Sequence, residues 1–214
     1  MYARARPLSG SELERGSRSV VGFPDQVTIA VDLPRARKEF VFDQCFGPAS
    51  TQAEVSEGCE HLIQSAFDGY NVCIFAYGQT GSGKTFTMSG SPTMPGVTPR
   101  GINRLYAIIA ESAKTCTTTV KTYMCELYND NLIDLYYILD TRKERNAPKP
   151  PPLAIGKDVK GMVVVKVCAR CRVAQCQCAR CRVGVWYLLH SASVPMLLGG
   201  RRAGHHAQGR GERG

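Results

Sequence analysis

Residues 78–85 read Gly78-Gln79-Thr80-Gly81-Ser82-Gly83-Lys84-Thr85 and match the pattern G-x-x-x-x-G-K-[ST]. An apolar run precedes the match at residues 72–77, and a stretch that favours helix follows it from Phe86. Glycine lets backbone N–H groups turn toward anionic oxygens, so a strand, this loop and a helix together predict a phosphate-binding loop. The helix N-terminus adds its positive end. In such a loop Lys84 pairs with the β- and γ-phosphates and Thr85 binds Mg²⁺. A Gly/Ser surface turn that ends in Lys-Thr is the alternative.

Charge and cysteine divide the chain into two parts near residue 166. The chain has 214 residues, a net charge of +9 and 10 cysteines. Residues 167–214 contain eight Arg, no Lys and one acid, Glu212, so +7 of the net charge lies there and +2 in residues 1–166. Five cysteines are spread through residues 1–166, and five are packed between Cys168 and Cys181. The sequence therefore predicts a near-neutral domain, 1–166, and a basic tail, 167–214.

No segment of the sequence predicts secretion or a membrane span. The first ten residues carry charge without an apolar core, and the apolar run 183–200 is interrupted by His190 and Pro195. The five spread cysteines are typical of small buried residues in a reducing compartment. We therefore expect a soluble protein of the cytoplasm.

Periodicity along residues 1–166 predicts alternating strands and helices. The capping pair Thr51 and Glu54 begins a helix that Gly69 ends. Proline and glycine indicate a loop over residues 89–101, followed by a helix over 102–113. Strands are predicted at residues 2–8, near 27–31, 39–43, 72–77 and 117–128, with a hairpin at 153–155 and 162–165. This alternation indicates an α/β nucleotide-binding fold.

The stretch from Tyr70 to Met88 closely resembles the phosphate-loop signature of kinesin motor domains. Segments 4–8, 42–52, 98–101 and 126–135 resemble the same family in the same order. The details, including residues 158–165, are most similar to calmodulin-binding, minus-end-directed kinesins with C-terminal motors. The resemblance covers residues 3–166 and implies an α/β, P-loop NTPase three-layer fold of the kinesin motor type, incomplete here.

The resemblance also implies cofactors, partners and a location. ATP or ADP with Mg²⁺ would bind here, microtubules would be the partner, and the protein would lie on the cytoskeleton. Calmodulin would bind outside these residues, and neither a membrane nor a specific nucleic acid is expected. Lys149, Lys157 and Lys160 correspond to a secondary tubulin-facing loop, although lysines on a loop are often only solvated.

The resemblance assigns nucleotide contacts only where residues match. Arg4 and Pro7 would flank the adenine, and Phe86 would lie near the base. The phosphates would be held by Gly78, Gln79, Thr80, Gly81, Ser82, Gly83, Lys84 and Thr85, with Thr85 on Mg²⁺. A solvated strand-end charge is the alternative for Arg4, and a strand terminator is the alternative for Pro7. Glu126 and Asn129 are interpreted as turn residues.

Two elements of the family's ATPase cycle have no match in residues 130–214. These are switch I, Asn-x-x-Ser-Ser-Arg, and switch II, Asp-x-x-Gly-x-Glu, which position the attacking water and sense the γ-phosphate. The main microtubule-binding helix follows switch II in the family, and no catalytic residue is identifiable here. The family's missing strands would lie inside the sheet, so we expect marginal stability.

Three functions remain open on this sequence. One is a kinesin-like motor of which this chain carries the nucleotide-binding half. The second is a nucleotide-binding fragment without motility. The third, an unrelated phosphate-loop kinase or GTPase, does not explain the segments at Arg4, Tyr70 and Glu126.

The tail contains a ten-residue repeat, in which Cys168 to Val173 recurs as Cys178 to Val183. A translated intron or shifted reading frame is one interpretation, and a disordered tail that binds nucleic acid or microtubules by charge is a second. A third is a zinc site of Cys168, Cys171, Cys178 and Cys181, although only six residues separate the two pairs, against the usual dozen. We expect the tail to be disordered or aberrant.

Overall fold

A computed structural model describes most of the chain up to residue 141 and shorter stretches beyond it. The described residues are 1–141, 149, 153–157, 163–166, 172–175, 181–190 and 195–200. Within them, no helix is both long enough and apolar enough to cross a membrane.

The N-terminal region forms two small sheets and one short helix. Strand β1 (Tyr2–Arg4) pairs in parallel with β5 (Gln44–Phe46). Strands β2 (Val21–Gly22), β3 (Thr28–Leu33) and β4 (Ala36–Val41) form an antiparallel sheet.

Two sequence predictions for this region are corrected, and one helix was not predicted. The strand predicted over 2–8 ends at Arg4, and the strand predicted over 39–43 begins at Ala36 and ends at Val41. Helix α1 (Gly10–Glu14) was not predicted, although Ser9 and Glu12 form a capping box at its start.

The helix predicted from Thr51 to Gly69 is divided into α2 (Gln52–Glu57) and α3 (Glu60–Phe67). Thr51 caps α2 as predicted, and Gly69 follows α3 with a φ of 103°. The break falls at Gly58, whose carbonyl accepts a hydrogen bond of 2.7 Å from the Tyr2 hydroxyl. The Tyr2 ring also lies 2.9 Å from where a Cβ on Gly58 would be, so β1 packs directly on the break.

Strand β6 (Val72–Phe75) leads into the phosphate-loop motif, which ends in the short helix α4 (Lys84–Met88). Helix α5 spans Val97–Glu111, so the prediction that residues 89–101 are all loop was wrong. Pro99 lies in the first turn of α5, where its missing N–H breaks no intrahelical hydrogen bond. The loop that joins α4 to α5 is therefore limited to residues 89–96.

A hairpin and a helix follow α5. Strand β7 (Thr118–Tyr128) pairs in antiparallel with β8 (Asn131–Asp134), and α6 spans Leu135–Thr141. Asn129 and Asp130 form the turn with φ values of 46° and 61°, which confirms the interpretation of Asn129 as a turn residue. The same interpretation was wrong for Glu126, which lies within β7 opposite Ile133.

The predicted hairpin beyond residue 150 is confirmed. Strand β9 (Ala154–Lys157) pairs in antiparallel with β10 (Val163–Lys166). Its turn, 158–162, lies outside the described residues, and so does Lys160. Lys149 and Lys157 are exposed.

The largest sheet joins β6 and β7 through strands from the C-terminal part of the chain. Its order is β11 (Arg172–Gln175), β7, β12 (Cys181–His190), β13 (Pro195–Gly200), β6. Strand β12 runs parallel to β7, whereas β13 is antiparallel to both β12 and β6. Two strands of the tail, β12 and β13, thus lie between β7 and β6 in the interior of the sheet. The resemblance implied that strands were missing from this interior. The disordered or aberrant character of the tail as a whole stays a prediction.

Helices α2, α3 and α5 pack together over β5, β6 and β7 and form the core. Its most deeply buried side chains include Ile63, Ala66, Met88, Leu105 and Ile109. Strand side chains alternate between faces, and on β6 Val72 is buried whereas Cys73 and Phe75 are exposed. Tyr77, just beyond β6, is 96% exposed. The expected marginal stability stays a prediction.

Candidate functional site

The phosphate-loop motif adopts a backbone that depends on its glycines. Gly78, Gly81 and Gly83 have φ values of 152°, 79° and 95°, which residues with a Cβ rarely adopt. Gly83 is also the N-cap of α4, so the loop passes directly into the helix. Left-handed residues next to right-handed ones turn successive N–H groups to one side and create an anion-binding concavity. Because α4 has five residues, the helix contributes mainly the N–H groups of its first turn.

Lys84 folds back over the loop instead of extending into solvent. Its Nζ donates hydrogen bonds to the carbonyl oxygens of Gly78 at 2.8 Å and Gln79 at 2.9 Å. The Ser82 hydroxyl is buried and has no hydrogen-bond partner among the described residues. A buried hydroxyl without a partner is costly, and a water molecule or a polar ligand such as a phosphate oxygen would satisfy it. A cation and an unpaired hydroxyl on one glycine-rich loop fit the phosphate groups of a nucleotide.

Arg4 joins the first strand to the helix that follows the loop. Its Nη1 donates to Gln52 Oε1 at 2.7 Å and to Thr87 Oγ1 at 2.9 Å. Its guanidinium carbon lies 5.4 Å from the centre of the Phe86 ring, within cation–π distance. Burial lowers the pKa of Arg4 from its ordinary value. The alternative of a solvated strand-end charge therefore does not describe this residue.

Gln52 connects Arg4 to two further segments, and the sequence analysis assigned it no role. Its Nε2 donates to the Phe86 carbonyl at 2.6 Å and to the Met94 carbonyl at 3.3 Å. The side chain is only 5% exposed. One signal was available in the sequence: Gln52 lies three residues before Val55 and so shares the apolar face of α2.

The loop 89–96 folds tightly against α4 and brings the Met94 carbonyl to Gln52. Gly90 has a φ of 73°, and a Cβ there would lie 2.2 Å from the Met94 carbonyl oxygen. A Cβ on Gly96 would lie 2.5 Å from the Thr87 carbonyl oxygen. Both glycines are therefore required by close backbone approach.

A second arginine lies beside the loop. Arg6 donates to both carboxylate oxygens of Glu12 at 2.7 Å, and its Cβ is 3.8 Å from where a Cβ on Gly83 would be. Hydrogen bonds from Arg6 and Ser9 hold the pKa of Glu12 far below its ordinary value. Pro7 is exposed, and its carbonyl accepts a hydrogen bond of 2.9 Å from Arg6. The predicted contact of Pro7 with adenine stays a prediction.

The remaining predicted ligands are exposed or lie outside the described residues. Gln79, Thr80, Gly81 and Thr85 are exposed, and Thr85 is the second residue of α4. Across the part of the chain that is described, no group of three His, Cys, Asp or Glu residues could hold a metal ion.

The zinc site of four tail cysteines stays a prediction. Cys168, Cys171 and Cys178 lie outside the described residues, and Cys181 is described only as the first backbone position of β12.

Comparison with known proteins gives concordant matches. The family described as "Kinesin motor domain" matches residues 4–181. Kinesin-like protein KIN-14I of Oryza sativa subsp. japonica is 42% identical over 167 residues, and KIN-14E of Arabidopsis thaliana is 40% identical over 167 residues. Each alignment covers 78% of this chain but 13% of the relative. The solved structure of a fast kinesin has a TM-score of 0.63 and 28% identity, over 82% of this chain and 47% of that one.

Proposed function

The chain belongs to the kinesin motor domain family, and on that basis we propose that it binds Mg-ATP through loop 78–85 and that the complete motor couples ATP hydrolysis to movement along microtubules. Kinesin motor domains are microtubule-stimulated ATPases that bind Mg-ATP. The fold is the mixed α/β fold of this family, of which the chain holds a part. The chain spans about an eighth of the length of the curated relatives compared above, so motility is proposed for the whole motor.

The observation that carries the proposal is the geometry around Lys84. Its ammonium group lies against the Gly78 and Gln79 carbonyls, and the unpaired Ser82 hydroxyl is buried in the same loop. In our proposal Lys84 would bind the β- and γ-phosphates, and backbone N–H groups of residues 78–85 would donate to the phosphate oxygens. The Thr85 hydroxyl would be a ligand of Mg²⁺, which neutralises phosphate charge when bound.

Base recognition is proposed for the other side of the loop. Arg4 and Phe86 are already in contact, at 5.4 Å from guanidinium to ring centre. Together with Pro7 they would flank the adenine, because a guanidinium plane and an aromatic ring both stack on a base. This arrangement serves ADP and ATP equally, since the base is common to both.

A nucleotide-binding role without motility is the second candidate. The observation that favours it is the absence of switch I and switch II patterns from residues 130–214. These elements position the attacking water and respond to the γ-phosphate, and a chain without them would retain binding but lose turnover.

Phosphate release from Mg-ATP, measured on the full 214-residue chain with and without microtubules, distinguishes the two candidates. A motor would release phosphate at a rate that rises with microtubule concentration and saturates. A nucleotide-binding fragment would bind a fluorescent ADP analogue but release phosphate no faster than buffer. A chain that binds neither ADP nor ATP would contradict both candidates.

The subclass and its partners are part of the same proposal. Both relatives compared above carry KIN-14 names, which supports placing this chain near the calmodulin-binding, C-terminal-motor kinesins. Microtubules would be its partner and the cytoplasmic cytoskeleton its location, with calmodulin bound outside these residues. The exposed Lys149 and Lys157 would suit the acidic surface of tubulin.

A further inference from the structure

Gln52 occupies a point where three segments that are distant in sequence meet. Its acceptor, Oε1, receives the Arg4 guanidinium from the end of β1 at 2.7 Å. Its donor, Nε2, reaches the Phe86 carbonyl in α4 at 2.6 Å and the Met94 carbonyl in loop 89–96 at 3.3 Å. A single buried amide thus links the Arg4 side chain to the backbone of Phe86, and the Arg4 guanidinium lies over the ring of the same Phe86.

We infer that Gln52 is a positioning residue: it holds Arg4 against Phe86 and thereby sets affinity for the nucleotide base, separately from affinity for the phosphates. This inference rests on the proposed nucleotide binding at loop 78–85. It extends that proposal by dividing the site into a phosphate half, centred on Lys84, and a base half, which depends on Gln52.

The separation follows from which atoms Gln52 contacts. Its side chain hydrogen-bonds to Arg4, Phe86 and Met94, whereas the Lys84 ammonium group hydrogen-bonds to Gly78 and Gln79. Thr87 Oγ1 accepts from the same Arg4 Nη1 at 2.9 Å, but one hydroxyl bonded to one nitrogen cannot fix the plane of the guanidinium alone. Without Gln52, Arg4 would therefore gain freedom to rotate away from the Phe86 ring.

The test compares two probes that both carry a chain of phosphates but of which only one carries a base: ADP and inorganic tripolyphosphate, both with Mg²⁺, each compared with itself across the variants. Gln52→Met keeps the length of the side chain and removes both hydrogen-bonding groups. Gln52→Asn keeps an amide that is one methylene too short to join Arg4 to the Phe86 backbone. Gln64→Met is the matched control, because Gln64 is an exposed residue of α3 whose side-chain amide donates to Asp68 at 2.9 Å.

Gln52→Met and Gln52→Asn should each weaken ADP binding about tenfold or more, the loss typical of a hydrogen bond to a charged group. Tripolyphosphate affinity should change less than twofold, and Gln64→Met should change neither. In an Arg4→Met background, Gln52→Met should cause no further loss of ADP affinity, since Gln52 acts through Arg4.

Other outcomes overturn the inference in distinguishable ways. Equal losses for both probes, or no loss for ADP, would show that Gln52 does not serve the base, while the proposed phosphate site would stand. Additive losses from Arg4 and Gln52 would show that Gln52 does not act through Arg4. If the unchanged chain binds neither probe, the proposed function fails together with this inference. Should Gln52→Met not fold, as judged by far-UV circular dichroism, Gln52→Asn gives the same comparison of probes.

Discussion

Replacing Gly96 with alanine tests whether loop 89–96 packs onto α4 as described above. The alanine Cβ would lie 2.5 Å from the Thr87 carbonyl oxygen and 2.6 Å from that of Met88. Both distances are well inside van der Waals contact, and a helix backbone cannot rotate aside as a side chain can. Gly96 itself has a φ of −83°, which any residue can adopt, so the expected cost is purely steric.

Overpacking of this kind typically lowers the free energy of unfolding by about 1–3 kcal/mol. In a chain of this size each kcal/mol shifts the thermal midpoint by about 2–4 °C, so Gly96→Ala should melt about 2–12 °C below the unchanged chain. Thermal unfolding of residues 1–214, followed by far-UV circular dichroism, measures this shift.

Gly10→Ala is the matched control. Gly10 is the first residue of α1, and no heavy atom lies within 4 Å of where its Cβ would be. Alanine is accepted at such a position without loss of stability. Equal midpoints for Gly96→Ala and the unchanged chain would refute the packing of loop 89–96 on α4.

Three further predictions concern stability. Thr51→Ala removes the cap of α2 and should cost about 1 kcal/mol in urea unfolding; an unchanged midpoint would contradict the cap. Hydrogen bonds from the Thr51 backbone N–H and hydroxyl lower the pKa of Glu54 in the folded chain. The ionised Glu54 carboxylate therefore stabilises the folded chain fully above its unfolded pKa of about 4.3, and this stabilisation is lost as the pH falls through the lower folded pKa. Glu54→Gln should therefore be less stable than the unchanged chain at pH 7, and the difference should shrink as the pH falls below the unfolded pKa of Glu54; a difference constant with pH would argue against this. Residues 1–166 alone lack β12 and β13 and should show no sharp, cooperative thermal transition; observing one would contradict the expected marginal stability.

Local features of the site could be predicted from the sequence because each depends on neighbouring residues. The backbone of loop 78–85 depends on glycines within those eight residues, and the helix cap joins Thr51 to Glu54, three residues later. The break between α2 and α3 could not be predicted, since it coincides with a contact from Tyr2, 56 residues away. The start of α5 was misplaced because Pro99, a breaker inside a helix, is accepted in a first turn.

Contacts between residues that are far apart in the sequence could not be predicted, because each depends on tertiary packing. Arg4 bonds to Gln52 and Thr87, which are 48 and 83 residues away, and nothing in the periodicity of either segment indicates the other. The positions of β12 and β13 between β6 and β7 are likewise a matter of tertiary pairing. The family resemblance indicated strands inside the sheet, but not that residues 181–200 would occupy those positions.

Equilibrium binding of Mg-ATP to the unchanged chain and to Lys84→Ala is the decisive test of nucleotide binding at loop 78–85. Lys114→Ala is the control, because Lys114 is an exposed lysine beyond the end of α5. If loop 78–85 binds the nucleotide, the unchanged chain will bind one equivalent of ATP in the presence of Mg²⁺. This binding will be lost with Lys84→Ala and retained with Lys114→Ala. Equal binding by all three proteins, or no binding by the unchanged chain, would contradict it.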